Sequence, residues 1–100
     1  MYVGLLAINP SHKNEVQINK DIDRTYGTNP TFCRNQRFRD WLREVLLCYS
    51  VYDQEVGYVQ GMNLIAANLL YHVKFPEETF WALVDLMENQ ELRLIYTGNL

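Results

Sequence analysis

Between its turn-forming residues the chain repeats its apolar side chains with a helical period. From Asn35 to Tyr52, the residues Phe38, Trp41, Leu42, Val45, Leu46 and Tyr49 follow an i, i+3, i+4, i+7 spacing and predict an amphipathic helix with one apolar stripe. Arg39, Asp40, Arg43 and Glu44 fall on its opposite, solvated face, where Asp40 and Arg43 are spaced to pair. Asn35 suits the N-cap. A second helix is predicted from about Gly61 to Val73, with Met62, Ile65, Ala66, Leu69, Leu70 and Val73 on one stripe. Leu64 and Tyr71 lie on its far side, so it is apolar nearly all round. A third helix starts at Pro76, with Glu77 and Glu78 favourable at the positive end of its dipole. Its stripe is Phe80, Leu83, Val84 and Met87, while Trp81 and Leu86 point elsewhere. Short helices are expected over Gln90–Tyr96 and over Glu15–Thr25, the latter with Ile18 and Ile22 inward. Breaks fall at Asn9-Pro10-Ser11, Gly27-Thr28-Asn29-Pro30, Gly57, Gly61, Phe75-Pro76 and Gly98.

The expected architecture is all-α, a bundle of about five short helices. Its apolar faces do not balance. Leu64, Trp81 and Leu86 lack obvious cover, so the chain reads as part of a larger helical domain, unstable or self-associating when isolated.

Composition narrows the function classes. The 100 residues allow one domain, and 48% hydrophobic with 21% charged residues is a globular balance. Nine Lys and Arg against twelve Asp and Glu give a net charge of −3, which argues against nucleic acid or an anionic membrane as partner. The longest apolar run, Leu64–Val73, holds Asn68 and His72 and is too short to span a bilayer, so no direct membrane insertion is expected. Met1–Ile8 is apolar but has no basic flank and makes a poor signal peptide. Cys33 and Cys48 match no metal-ligand spacing and read as reduced, buried thiols. His12 and His72 are far apart in sequence, so no metal site is expected. Asp21 and Asp23 diverge at helical spacing and form no acid–base dyad. Neither GxxxxGK[ST] nor GxGxxG occurs, so the chain carries no phosphate loop of its own.

Two segments stand apart: Ile18-Asn19-Lys20-Asp21-Ile22-Asp23-Arg24-Thr25, an IxxDxxRT pattern, and Gly57-Tyr58-Val59-Gln60-Gly61-Met62-Asn63, a GYxQGMN pattern. Arg24 alone would read as half of a surface ion pair, and Gln60 alone as a loop amide. Together, in this order, the segments resemble the TBC family of Rab GTPase-activating proteins. The likeness continues through Leu64–Leu70, Phe80, Leu86-Met87, Leu92-Arg93 and Tyr96, and residues 1–100 look like a partial domain, its N-terminal half. The family's RxxxW motif is absent upstream, and the matching spacing of Arg37 and Trp41 downstream is read as coincidence.

The resemblance implies an activator that supplies groups in trans to a GTP-bound Rab-family GTPase, and not an enzyme with its own substrate site. Arg24 would be the arginine finger and Gln60 the glutamine finger. A guanidinium forks onto phosphate oxygens, and a carboxamide, donor and acceptor at once, orients the attacking water. Around them, Asp21 would brace Arg24, Ile18 would anchor its helix, and Gly57 and Gly61 would let the Tyr58–Gln60 segment turn tightly and admit a partner's backbone. Asn63 would cap or brace the next helix. The chain would need no cofactor of its own, GTP and Mg belonging to the partner, and would sit in the cytoplasm, peripheral to endomembranes through that partner. The alternative is a non-catalytic helical module that recognises a small GTPase, or another protein, without stimulating hydrolysis.

Overall fold

In a computed structural model of the chain, residues 2–26 and 36–89 are described. Five helices make up this part: α1 (Tyr2–Leu6), α2 (His12–Tyr26), α3 (Gln36–Tyr52), α4 (Met62–Val73) and α5 (Pro76–Met87). The all-α expectation holds, and no strand occurs among the described residues. The expected cap at Asn35, the thiol of Cys33 and the Gln90–Tyr96 helix lie outside the described residues.

α3 is the central element and touches each of the other four helices. Its stripe supplies the fully buried Leu42, Val45, Leu46 and Tyr49, with Phe38 and Trp41 half-buried against them. Met62, Ala66 and Leu70 of α4 and Phe80, Leu83 and Met87 of α5 close the core from one side, and Ile18 and Ile22 of α2 from another. Phe80 is its aromatic centre, its ring 5.2 Å from Tyr2 and 5.6 Å from Tyr52.

One helix is not foreseen by the pattern, and two sequence expectations need correction. The apolar N-terminal stretch is itself helical: α1 docks through Tyr2, whose hydroxyl donates to Glu44 Oε2 on α3. α2 begins at His12 and not at Glu15, because Ser11 caps it: Ser11 Oγ accepts the Asn14 N–H at 3.2 Å and Ser11 O accepts that of Glu15 at 3.0 Å. The polar face of α3 does not pair along its own helix as Asp40 with Arg43. Asp40 accepts from Gln36 Nε2 (2.9 Å), while Arg43 crosses to α2 and donates to Asn19 Oδ1 (2.8 Å) and Glu15 Oε1 (3.2 Å). Arg39 crosses likewise to Asp23. These bridges lie largely at the surface and add little stability. Burial of Ile18 and Ile22 sets the rotation of α2 on the core and carries Asp21 inward with them.

α4 covers the stretch that the pattern predicted. Gly61 is its N-cap, at φ 106°, a left-handed conformation that side chains with a Cβ resist. Its other end closes on Lys74, also left-handed, whose N–H donates to Leu70 O at 2.8 Å. α5 opens as expected, with Pro76 in its first turn.

Candidate functional site

The two sequence patterns come from different parts of the chain and meet in space. IxxDxxRT is the second half of α2, and GYxQGMN is the loop between α3 and α4 with the first residues of α4. Arg24 lies in the last turn of α2, where its charge suits the negative end of the helix dipole. Its side chain is 60% exposed, while that of Asp21, one turn back, is only 2% exposed. The two form a salt bridge from Arg24 Nη2 to Asp21 Oδ1.

Asp21 is the hub of the site. Oδ1 also accepts from Gln17 Nε2 at 3.0 Å, and Oδ2 accepts from the Tyr58 hydroxyl at 2.6 Å. Donors from two elements therefore satisfy a carboxylate that has left water. Burial, together with the hydrogen bond and charge of Asp21, pushes the Tyr58 hydroxyl well above the ordinary phenol range, so it stays a donor.

A second tie lies beneath the first. Asn63 Nδ2 donates to Thr25 Oγ1 (2.5 Å) and to the backbone carbonyl of Asp21 (3.3 Å), while Asn63 Oδ1 accepts the Gly61 N–H (3.1 Å). The expected bracing by Asn63 is therefore directed at α2 as well as at the turn before its own helix. Thr25 Oγ1 in turn donates to Asp21 O at 2.7 Å.

The loop is held from both ends. Asp53 accepts from the Tyr49 hydroxyl (2.7 Å) and from the Val56 N–H (3.3 Å), and its carbonyl accepts the Gly57 N–H at 2.7 Å. Gly57 has φ 63°, and a Cβ there would meet Asn14 Nδ2 of α2 at 3.1 Å. The close approach that Gly57 permits is thus to this chain's own α2. At Gly61 nothing lies within 4 Å of a built Cβ, so its backbone angle is what calls for glycine. Between these glycines Tyr58 turns in toward Asp21, and Gln60 is exposed.

Arg24 and Gln60 border one hollow of about 560 Å3, walled also by Asp21, Thr25, Gly61, Asn63 and Leu64. A guanidinium and a carboxamide thus lie on the rim of the same hollow. Each residue singled out in the sequence belongs to this region: Ile18 is the buried anchor beneath, Gly57 and Gly61 set the loop, and Tyr58 and Asn63 join it to α2. Gln17 was missed, although its signal, one turn before Asp21, is visible in the sequence. Leu64, uncovered in the apolar pattern, also borders the hollow. No group of three or more His, Cys, Asp or Glu positioned for a metal ion occurs among the described residues.

Comparison with known proteins gives this arrangement a context. The family description of the Rab-GTPase-TBC domain matches residues 4–100. TBC1 domain family member 2A of Mus musculus is 41% identical over 78 residues, which cover 77% of this chain and 8% of that protein. Rab GTPase-activating protein eat-17 of Caenorhabditis elegans is 44% identical over 82 residues, covering 82% of this chain and 9% of the relative. GTPase-activating protein GYP5 of Saccharomyces cerevisiae is 40% identical over 83 residues, with coverages of 83% and 9%. The chain thus spans at most 9% of the length of these relatives. No solved structure gives a significant match.

Proposed function

Because this chain belongs to the Rab-GTPase-TBC domain family, we propose that it accelerates GTP hydrolysis by a Rab-family GTPase, with Arg24 and Gln60 as its arginine and glutamine fingers. The observation that carries the reading is their shared hollow, reached from two elements far apart in sequence. In this reading the GTP-bound partner, with its own Mg, presents the γ-phosphate to the hollow. Arg24 forks onto phosphate oxygens and stabilises charge that develops as the bond to the leaving GDP lengthens. The Gln60 carboxamide accepts a hydrogen bond from the attacking water and donates one back, aiming its oxygen in line at phosphorus. Asp21 holds the guanidinium by one nitrogen and leaves the rest of the fork outward. The chain contributes groups to another protein's reaction and keeps no substrate of its own.

The partner GTPase also accounts for the expected placement at endomembranes. No helix among the described residues is long and apolar enough to cross a membrane.

Single-turnover hydrolysis by a panel of GTP-loaded Rab proteins, with the full-length protein that carries this chain, tests the reading. Arg24→Ala should lower the stimulated rate by about 10³–10⁵-fold, and Arg24→Lys should restore little, since an ammonium cannot fork. Gln60→Ala should also abolish most of the stimulation. If both variants stimulate like the parent, the finger roles are wrong. If a GTP-loaded Rab binds the parent and both variants equally and none stimulates, the chain is a non-catalytic binding module.

A further inference from the structure

The wall of the hollow contains one large apolar side chain that neither phosphate nor water can use. Leu64, in the first turn of α4, is 59% exposed, although Met62 and Ala66 on the same helix are fully buried. A lone exposed leucine on a helix is ordinary. Leu64 differs in position, because it borders the same hollow as Arg24 and Gln60. We propose that Leu64 is a specificity-determining contact, covered by the loops of the GTPase that flank the γ-phosphate, and that its burial favours the GTP-bound over the GDP-bound partner. The inference rests on the proposed function.

The argument is geometric and chemical. A γ-phosphate touched by both Arg24 and Gln60 must enter the hollow, and its GTPase brings the surrounding loops with it. Those loops are ordered by contacts of the γ-phosphate and its magnesium, and are released after hydrolysis. The fingers take the polar guest, so an apolar side chain on the same rim is left to meet protein. Its burial rewards only the ordered, GTP-bound loops, because a released loop must first pay the entropy of ordering before it covers Leu64. Tyr71, two turns further along α4 and also exposed, does not border the hollow and supplies a control.

The test uses the full-length protein and the Rab that it stimulates best. Leu64→Gln, which keeps helix propensity, should raise KM for the GTP-loaded GTPase about tenfold, the order expected when one large apolar side chain loses its burial, with kcat within about twofold of the parent. Affinity for the GDP-loaded form should change little, so discrimination between the two forms should fall. Leu64→Met, which keeps the apolar area, should hold KM near the parent value, and so should Tyr71→Ser. The inference is overturned if KM is unchanged in Leu64→Gln while Arg24→Ala still removes stimulation, a result that leaves the finger reading intact. It is also overturned if the thermal midpoint of free Leu64→Gln falls by several degrees, which would mean that Leu64 is covered by other parts of its own chain. If the parent does not stimulate any Rab, or Arg24→Ala is harmless, the functional reading fails and takes this inference with it.

Discussion

At the scale of single residues, the site depends on how a buried carboxylate is satisfied. Asp21 accepts from Gln17, Arg24 and Tyr58, of which Arg24 is the most exposed and the other two are half-buried. Removing a donor from such a group leaves part of its desolvation uncompensated. Tyr58→Phe keeps the ring and deletes that donor. It should therefore cost about 1–3 kcal/mol of stability, read as a lower urea midpoint with an unchanged slope. The same variant should lower the stimulated kcat more than it raises KM, because Tyr58 holds the brace of Arg24 and not the guest itself. Unchanged stability and kcat would remove Tyr58 from the site. The Asp21–Arg24 contact was legible in the sequence, since residues three apart on a helix are neighbours. The contacts of Tyr58 and Asn63 with α2 link residues 37 or more positions apart, and no periodicity encodes those.

At the scale of elements, apolar stripes located α3, α4 and α5, while α2 lost its first turn and α1 escaped the pattern altogether. The stripes of α3, α4 and α5 were legible because apolar spacing and burial agree: Leu42, Val45, Leu46, Met62, Leu70, Phe80 and Leu83 all face the core. α2 was read three residues short, since its first turn, His12-Lys13-Asn14, is polar and only the Ser11 cap announces it. α1 was missed because five residues are too few to show a period; tertiary contacts of Tyr2 hold it. The turn before α4 was legible as a pair of glycines, and the structure separates their roles. Gly61→Ala should cost at least about 1 kcal/mol through backbone strain at positive φ, with no steric clash to relieve, and should displace the adjoining Gln60. We expect a lower urea midpoint and a lower stimulated kcat in that variant, while Arg24 and Asp21 stay paired. Parent-like stability would show that the turn accepts another conformation at no cost.

For the whole molecule, the question is what the uncovered apolar side chains do. The core is well filled, yet Val3, Leu6 and Ile8 near the N-terminus, Leu64 and Tyr71 on α4, Phe75 before α5, and Trp81 and Leu86 on α5 remain substantially exposed. Trp81 is partly sheltered by Tyr52 and Phe80, at ring separations of 6.3 and 5.0 Å, while Val3, Leu64 and Phe75 are more than half exposed. Scattered apolar residues are normal on a soluble surface, but large side chains this numerous on so short a chain leave much favourable burial unrealised. Covering one such side chain is worth about 1.5–3 kcal/mol, a large share of the few kcal/mol that a core of this size supplies. The 100-residue chain by itself should therefore self-associate, with a weight-average mass by light scattering that rises with concentration across the micromolar range. Tyr71→Ser combined with Phe75→Ser should lower that association without lowering the thermal midpoint, because neither side chain is buried in the core. A concentration-independent monomer with one sharp, reversible melt would show instead that the core alone is sufficient and that these faces are merely tolerated. Association that persists undiminished in the double variant would place the sticky surface elsewhere, with the N-terminal cluster of Val3, Leu6 and Ile8 next in line.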